Sequence, residues 1–235
     1  MNKFLRIALF VLILIVGIGS LAVYWTFYRP LPDYQSTQTH DTIQQQIDIH
    51  WDTHGVPHIY ADNKHDLYYA LGYAHAQDRL WQMTLSQMAA EGRFAEFLGK
   101  DLLPYDKLQR TLGFWDIAQQ IAPTLSDSSQ NLLRAYSAGV NSYVKKNPKS
   151  LPIQFTLADM EPIPWTPTHS IALARMMAWE LNLAWKSELN YAYFANTLSE
   201  DKFSQLLPDN RFLSSNSKTD SSWAQTLMPL VEKNE

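Results

Sequence analysis

The hydrophobic positions of this chain change period twice. Between Ile7 and Phe27 almost every residue is apolar, and Lys3 and Arg6 stand in front of the run. Such a stretch is long enough to span a bilayer, and the leading charges are those of a signal sequence or of a helix whose N-terminus stays in the cytoplasm. Two fates compete for it. Ser20-Leu21-Ala22 offers a small-x-small cleavage site that would release a soluble periplasmic protein, whereas Trp25, Phe27 and Tyr28 continue beyond that site and suit a membrane interface, with Arg29-Pro30 ending the helix. The uncleaved anchor is the preferred reading of residues 1–30.

Residues 31–45 are polar, contain proline and show no apolar periodicity, so they read as a tether. From Gln46 the period becomes two: Ile47, Ile49 and Trp51 alternate with polar residues, His54-Gly55 turns the chain, and Val56 to Ala61 forms a second extended piece, predicting a hairpin or two consecutive strands. From Asp62 the period becomes helical. Asp62 or Asn63 supplies a cap, Asp66 favours the first turn, and Leu67, Ala70, Leu71, Ala74, Trp81, Leu85 and Met88 share a stripe that Gly92 interrupts. Gly99 is read as a left-handed cap after a further short turn.

Further helices are predicted from Phe114 to Ala122 and from Ser126 to Lys146, the latter closed by Lys145, Lys146 and Pro148. After the prolines at 152, 162, 164 and 167, one helix is predicted from Ser170 to Ala195. Its apolar groups crowd all round between Trp179 and Trp185, which calls for burial or a partner. The resulting fold class is α+β and mainly helical, with a folded domain over 46–213 and a flexible, serine-rich tail over 214–235.

Charge and composition narrow the function. Removing residues 1–30 takes away Lys3, Arg6 and Arg29 and no acid, leaving sixteen bases against twenty-three acids, a net charge of −7. Nucleic-acid binding is not expected of such a domain. With no cysteine, the chain has neither a disulfide framework nor a thiolate metal site.

Several side chains are candidates for chemistry. His50, His54 and His58 lie four apart, but Gly55 and Pro57 forbid the helix that would gather them, so they read as surface and turn histidines rather than a zinc site. Asp78, four residues after Ala74, is placed on the apolar stripe as a buried carboxylate needing a partner. His75 is read as structural, with no serine placed beside it. Glu180 and Glu188, eight apart on the crowded helix, are a weak metal-site candidate against the ordinary reading of surface carboxylates.

The stretches Asp52-Thr53-His54-Gly55-Val56-Pro57-His58-Ile59-Tyr60-Ala61, Gly72-Tyr73-Ala74-His75-Ala76-Gln77-Asp78-Arg79-Leu80-Trp81-Gln82-Met83 and Gly92-Arg93-Phe94-Ala95-Glu96-Phe97-Leu98-Gly99 resemble the start of the penicillin acylase family. Arg110-Thr111-Leu112-Gly113, Tyr136-Ser137-Ala138-Gly139-Val140-Asn141, Pro164-Trp165-Thr166-Pro167 and Leu206-Leu207-Pro208 add to it. The resemblance implies the N-terminal, α-chain part of an N-terminal-nucleophile hydrolase of αββα fold, made as a precursor. The serine nucleophile and the oxyanion donors would then lie on a second (β) chain. It implies an acyl amide as substrate: a β-lactam side chain, an acyl-homoserine lactone, or an acylated amino acid or peptide.

By the same resemblance Glu188 falls at a calcium-binding glutamate, while Ala178, Leu181 and Asn182 fall at positions lining the acyl pocket. The family usually has aspartate where His169 stands, so that helix start is expected to be capped differently here, or by Ser170. Asp220-Ser221-Ser222-Trp223 is only a faint echo of a serine-led chain start. The expected setting is the inner membrane, facing the periplasm; the alternative is a truncated, non-catalytic, membrane-anchored envelope module.

Overall fold

The computed structural model describes residues 3–28, 31, 34–35, 37–148, 150–182 and 184–206. Two compact units divide it, residues 1–177 and 178–235.

In the first unit, α1 (Lys3–Val23) passes into a π-helical turn, Tyr24–Tyr28, in which Tyr24 and Tyr28 stack with ring centroids 6.4 Å apart. The 26 residues have a mean hydropathy of 2.7, and by length and composition they can cross a membrane. The predicted hairpin is present. β1 (Ile47–Trp51) pairs antiparallel with β2 (Pro57–Ala61), with Ile49 opposite Ile59 and His50 opposite His58. Asp52 shapes the turn, its Oδ1 accepting the amides of His54 (2.8 Å) and Val56 (2.9 Å), while Gly55 takes the positive φ of 74°.

α2 (Lys64–Glu91) and α6 (Asp127–Lys146) form the core. Asn63 caps α2 by accepting the Asp66 amide at 2.8 Å, Gly92 closes it in the left-handed conformation, and Ser126 caps α6 through the Ser129 amide. The helices cross with backbone against backbone. A Cβ on Gly72 would stand 2.1 Å from the carbonyl oxygen of Tyr136, and one on Gly139 would stand 2.0 Å from that of Tyr69. Around this crossing Tyr73, Leu80, Met83, Val140, Tyr143, Phe155 and Trp165 are packed out of water, each large side chain contributing roughly 1.5–3 kcal/mol by burial.

Shorter helices complete the unit: α3 (Phe94–Leu98), α4 (Leu103–Leu112), α5 (Phe114–Ile121) and α7 (Ile153–Leu157). Buried Asp106 on α4 accepts the amides of Phe94 and Ala95 at 2.8 and 2.7 Å, capping α3 from outside. Gly99, expected to be a left-handed cap, has φ 97° and ψ 167°, outside that region. No sequence pattern had announced α4.

Two sequence expectations are corrected. Asp78 is exposed, its Oδ1 accepting the Tyr34 hydroxyl at 2.9 Å. The buried stripe of α2 runs through Tyr69, Tyr73, Ala76, Leu80 and Met83; Ala74 sits at its edge, and one further turn carries Asp78 to the opposite side, just before the helix leaves helical geometry at Arg79 (φ −135°, ψ 22°). The acid buried in this helix is Asp66, fully inaccessible, which accepts the amides of Gln44 and Gln45 and the side-chain amide of Asn63. The single helix expected from Ser170 to Ala195 is two: α8 (Pro167–Leu181) and α9 (Ala184–Thr197). Glu180 and Glu188 therefore do not share one helical face.

Residues 34–45, expected as a tether, are fastened along α2 and α6. Tyr73 donates its hydroxyl to Gln38 Oε1 at 2.6 Å, Lys146 Nζ donates to the carbonyl of Thr39, and His40 Nδ1 lies 2.7 Å from the Tyr69 hydroxyl and 3.1 Å from Ser142 Oγ. Burial raises the carboxyl of Asp66, but His65, Gln44, Asn63 and Gln45 outweigh it and hold it at about 2 instead of 3.8. A folded-state value below the unfolded one gives stability that is complete above pH 3.8 and lost as pH falls toward 2. Asp66→Asn is expected to lower stability at neutral pH and to flatten the acid limb of an unfolding curve across that window. An unchanged acid limb would show that another group controls it.

Candidate acyl-pocket helix and its supports

α8 carries two of the sequence-predicted pocket positions, Ala178 and Leu181, with Asn182 just past its end, and its start is held by several side chains. Gln87 Nε2 reaches the carbonyls of Ile163 and Pro164 at 3.4 Å each. Asn141 holds Trp165 at both ends, its Oδ1 accepting the Trp165 amide at 2.8 Å and its Nδ2 donating to the Trp165 carbonyl at 2.9 Å. The indole Nε1 donates to Ser170 Oγ at 2.9 Å.

His169 stands where a capping carboxylate was expected and fills that role. Its Nδ1 accepts the Thr166 backbone N–H at 2.9 Å and lies 2.8 Å from the Thr166 hydroxyl. This is a capping-box contact made by an imidazole. An Nδ1 that accepts a backbone N–H carries no proton, so the proton sits on Nε2, which donates to Glu91 Oε1 at 2.8 Å. Rings of Trp115 and Trp165 lie against the imidazole at centroid distances of 4.8 and 5.7 Å.

Glu91 also accepts from Arg93 Nη1 at 2.7 Å through its second oxygen. Burial raises its carboxyl, but hydrogen bonds from His169 and then Arg93 prevail and keep it below its ordinary value. Arg93 in turn forks onto Glu96, whose carboxyl is lowered by that contact. Further along α8, Ala172 and Met176 are buried in the first unit.

In the second unit, Ala178, Leu181 and Asn182 are exposed, Leu181 at 77%. Trp179 and Trp185 stack at 5.5 Å, and the Asn182 amide donates to the Trp179 carbonyl at 3.2 Å. Glu188 is exposed on α9, with α10 (Glu200–Leu206) following. Leu183, within the crowded apolar stretch between Trp179 and Trp185, lies outside the described residues, as do the 214–235 tail and its Asp220–Trp223 motif.

Among the described residues no group of three imidazoles or carboxylates is gathered to hold a metal. Glu188 offers calcium the right hard oxygen, but a shell of six to eight oxygens needs more than the described residues place around it. His50 and His58 face each other across the hairpin, with His58 Nε2 3.3 Å from Asp52 Oδ2. His75 Nδ1 lies 2.9 Å from the Tyr136 hydroxyl, a contact between α2 and α6.

Comparison with known proteins matches this arrangement to one family. The penicillin amidase profile covers residues 46–224. Penicillin acylase 2 proenzyme of Pseudomonas sp. strain SE83 is 37% identical over 155 residues, 66% of this chain and 20% of that protein. Penicillin G acylase of Escherichia coli is 38% identical over 155 residues, 63% of this chain and 17% of that protein. The acyl-homoserine lactone acylase QuiP of Pseudomonas aeruginosa is 29% identical over 178 residues, 76% and 21% of the two lengths. The chain thus spans about one fifth of the length of the curated relatives it matches.

Among solved structures, a thermostable penicillin G acylase from Alcaligenes faecalis superposes with a TM-score of 0.58 at 28% identity, covering 74% of this chain and 96% of the matched one. On these grounds the mainly helical chain, with its hairpin, Gly72–Gly139 crossing and capped α8, belongs to the penicillin amidase family.

Proposed function

We propose that this chain is the first-chain part of an acylase that hydrolyses an acyl amide. The observation that carries the reading is a contrast of coverage. The chain accounts for 96% of the matched Alcaligenes faecalis chain yet only about a fifth of the Pseudomonas proenzyme. In this reading the serine nucleophile, its base and the oxyanion donors belong to the part of the relatives that this chain does not match, a second (β) chain. This chain contributes Ala178, Leu181 and Asn182 to one wall of the acyl pocket, and Glu188 supplies one oxygen to a structural calcium.

Small, apolar and amide side chains at those three positions favour an apolar acyl group. The relatives' names cover two such classes, penicillins and acyl-homoserine lactones. We place the protein at the inner membrane, facing the periplasm. The preference for an anchor over a cleaved signal rests on Trp25, Phe27 and Tyr28, aromatic residues that continue past Ser20-Leu21-Ala22 and suit the membrane interface.

The test is acyl-group profiling of the assembled enzyme against phenylacetyl and long-chain acyl amides, with and without Leu181→Ala. Leu181 is 77% exposed in the chain, so its truncation leaves no cavity in the isolated fold. The variant is expected to shift the ratio of kcat/KM for long over short acyl groups by roughly 10-fold or more, the scale of methylene-sized changes in apolar pockets. An unchanged ratio would remove Leu181 from the pocket.

A further inference from the structure

The fastening of residues 34–45 has a consequence for how the domain meets the membrane. Tyr34 is held twice: its hydroxyl donates to Asp78 at 2.9 Å, and its ring lies 4.5 Å from that of Trp51. Gln38, Thr39, His40, Gln44 and Gln45 are each bound to α2 or α6 as described. Only residues 29–33 separate Tyr34 from Tyr28, the end of the apolar helix. Six steps of extended chain reach at most about 22 Å. Were the chain held only from Gln44 onward, sixteen steps would reach about 55 Å.

We infer that the face formed by Tyr34, Trp51 and the Asp52–Val56 turn rests against the phospholipid surface of the bilayer in which α1 is anchored. The inference depends on the anchor reading above and adds an orientation to it. Trp51 leads directly into the turn, so the turn travels with Tyr34. The chemistry of the face suits the polar–apolar boundary of a bilayer. Val56 is 50% exposed at the tip, Thr53, His54 and His58 are exposed around it, and Tyr60 is exposed on β2.

Because the natural chain has no cysteine, single labels can be placed cleanly. The experiment uses the full chain in vesicles of phosphatidylethanolamine and phosphatidylglycerol, with a fluorophore at Thr53→Cys, at Leu98→Cys or at Ser20→Cys. Leu98 lies beyond the far end of α2, which ends twelve helical residues (~18 Å) past the break at Arg79. Headgroup-attached nitroxides are expected to quench the label at 53 about twofold or more over that at 98, given the short reach of the link. A flexible glycine-serine insertion between residues 31 and 34 should bring position 53 down to the level of 98.

Equal quenching at 53 and 98, or quenching at 53 that survives the insertion, overturns the inference while leaving the anchor intact. A Ser20 label untouched by acyl-chain nitroxides overturns the anchor reading, and the orientation with it.

Discussion

Gly139→Ala is expected to abolish the cooperative unfolding of the helical core, and Gly72→Ala to do the same. Helix propensity argues the other way, since alanine is favoured over glycine by about 1 kcal/mol in a helix interior. The contact decides the sign. The added methyl would stand 2.0 Å from the Tyr69 carbonyl oxygen, or 2.1 Å from that of Tyr136, and the obstacle is backbone rather than the free end of a side chain. Relief requires α2 and α6 to separate along the crossing, which loosens Tyr73, Val140, Tyr143 and Trp165 together. Overpacking that side-chain movement can relieve costs typically 1–3 kcal/mol. A backbone clash at two facing helices should exceed that range, against a total stability of roughly 5–15 kcal/mol. Thermal and urea unfolding followed by circular dichroism would read the effect. An alanine variant as stable as the parent would mean that the helices cross at a greater distance than described.

The two glycines also show what the sequence could disclose. Both stood in the motifs that carried the family resemblance, yet neither periodicity nor composition explains them. Their reason is close approach between distant positions, Gly72 to Tyr136 and Gly139 to Tyr69, 64 and 70 residues apart. What was legible was local: the alternation of Ile47, Ile49 and Trp51, the His54-Gly55 turn, the Asn63 cap, the Gly92 stop and the helix beginning at Ser126 all describe short-range physics and are found in place. The errors arose where a local rule met a distant partner or a break in geometry. Counting four from Ala74 places Asp78 on the buried stripe, but Ala74 lies at the edge of that stripe, and the next turn carries Asp78 away from Tyr69, Tyr73, Ala76 and Leu80. Asp66 was read as a helix-dipole residue, because the amides of Gln44 and Gln45 that surround it come from a segment with no periodic signal.

The candidate site divides in the same way. His169 was noticed as a departure from the family's capping residue, and the structure shows an imidazole accepting from the Thr166 amide while donating to Glu91, 78 residues earlier. No spacing rule links those two positions. The break between α8 and α9 is hidden by the crowding of Trp179, Leu181, Leu183, Ala184 and Trp185, whose apolar pattern a helix signal cannot resolve into two elements. Glu188 and the pocket positions rest on resemblance alone, and all four are exposed in this chain.

The second large effect is all-or-none in activity. Amide hydrolysis needs a nucleophile, a base and oxyanion donors brought together, and removal of a single oxyanion donor alone costs about 10²–10³ in rate. A chain that supplies a pocket wall and no such group should give no turnover above the uncatalysed reaction. The decisive measurement is release of phenylacetate and of long-chain fatty acid from their amides by the full chain alone, and by the same chain combined with a family second chain. The account predicts hydrolysis only in the combination, with the second chain alone also inactive. Hydrolysis by the full chain alone, abolished by Ser221→Ala or Ser222→Ala, would contradict it and place the nucleophile on this polypeptide.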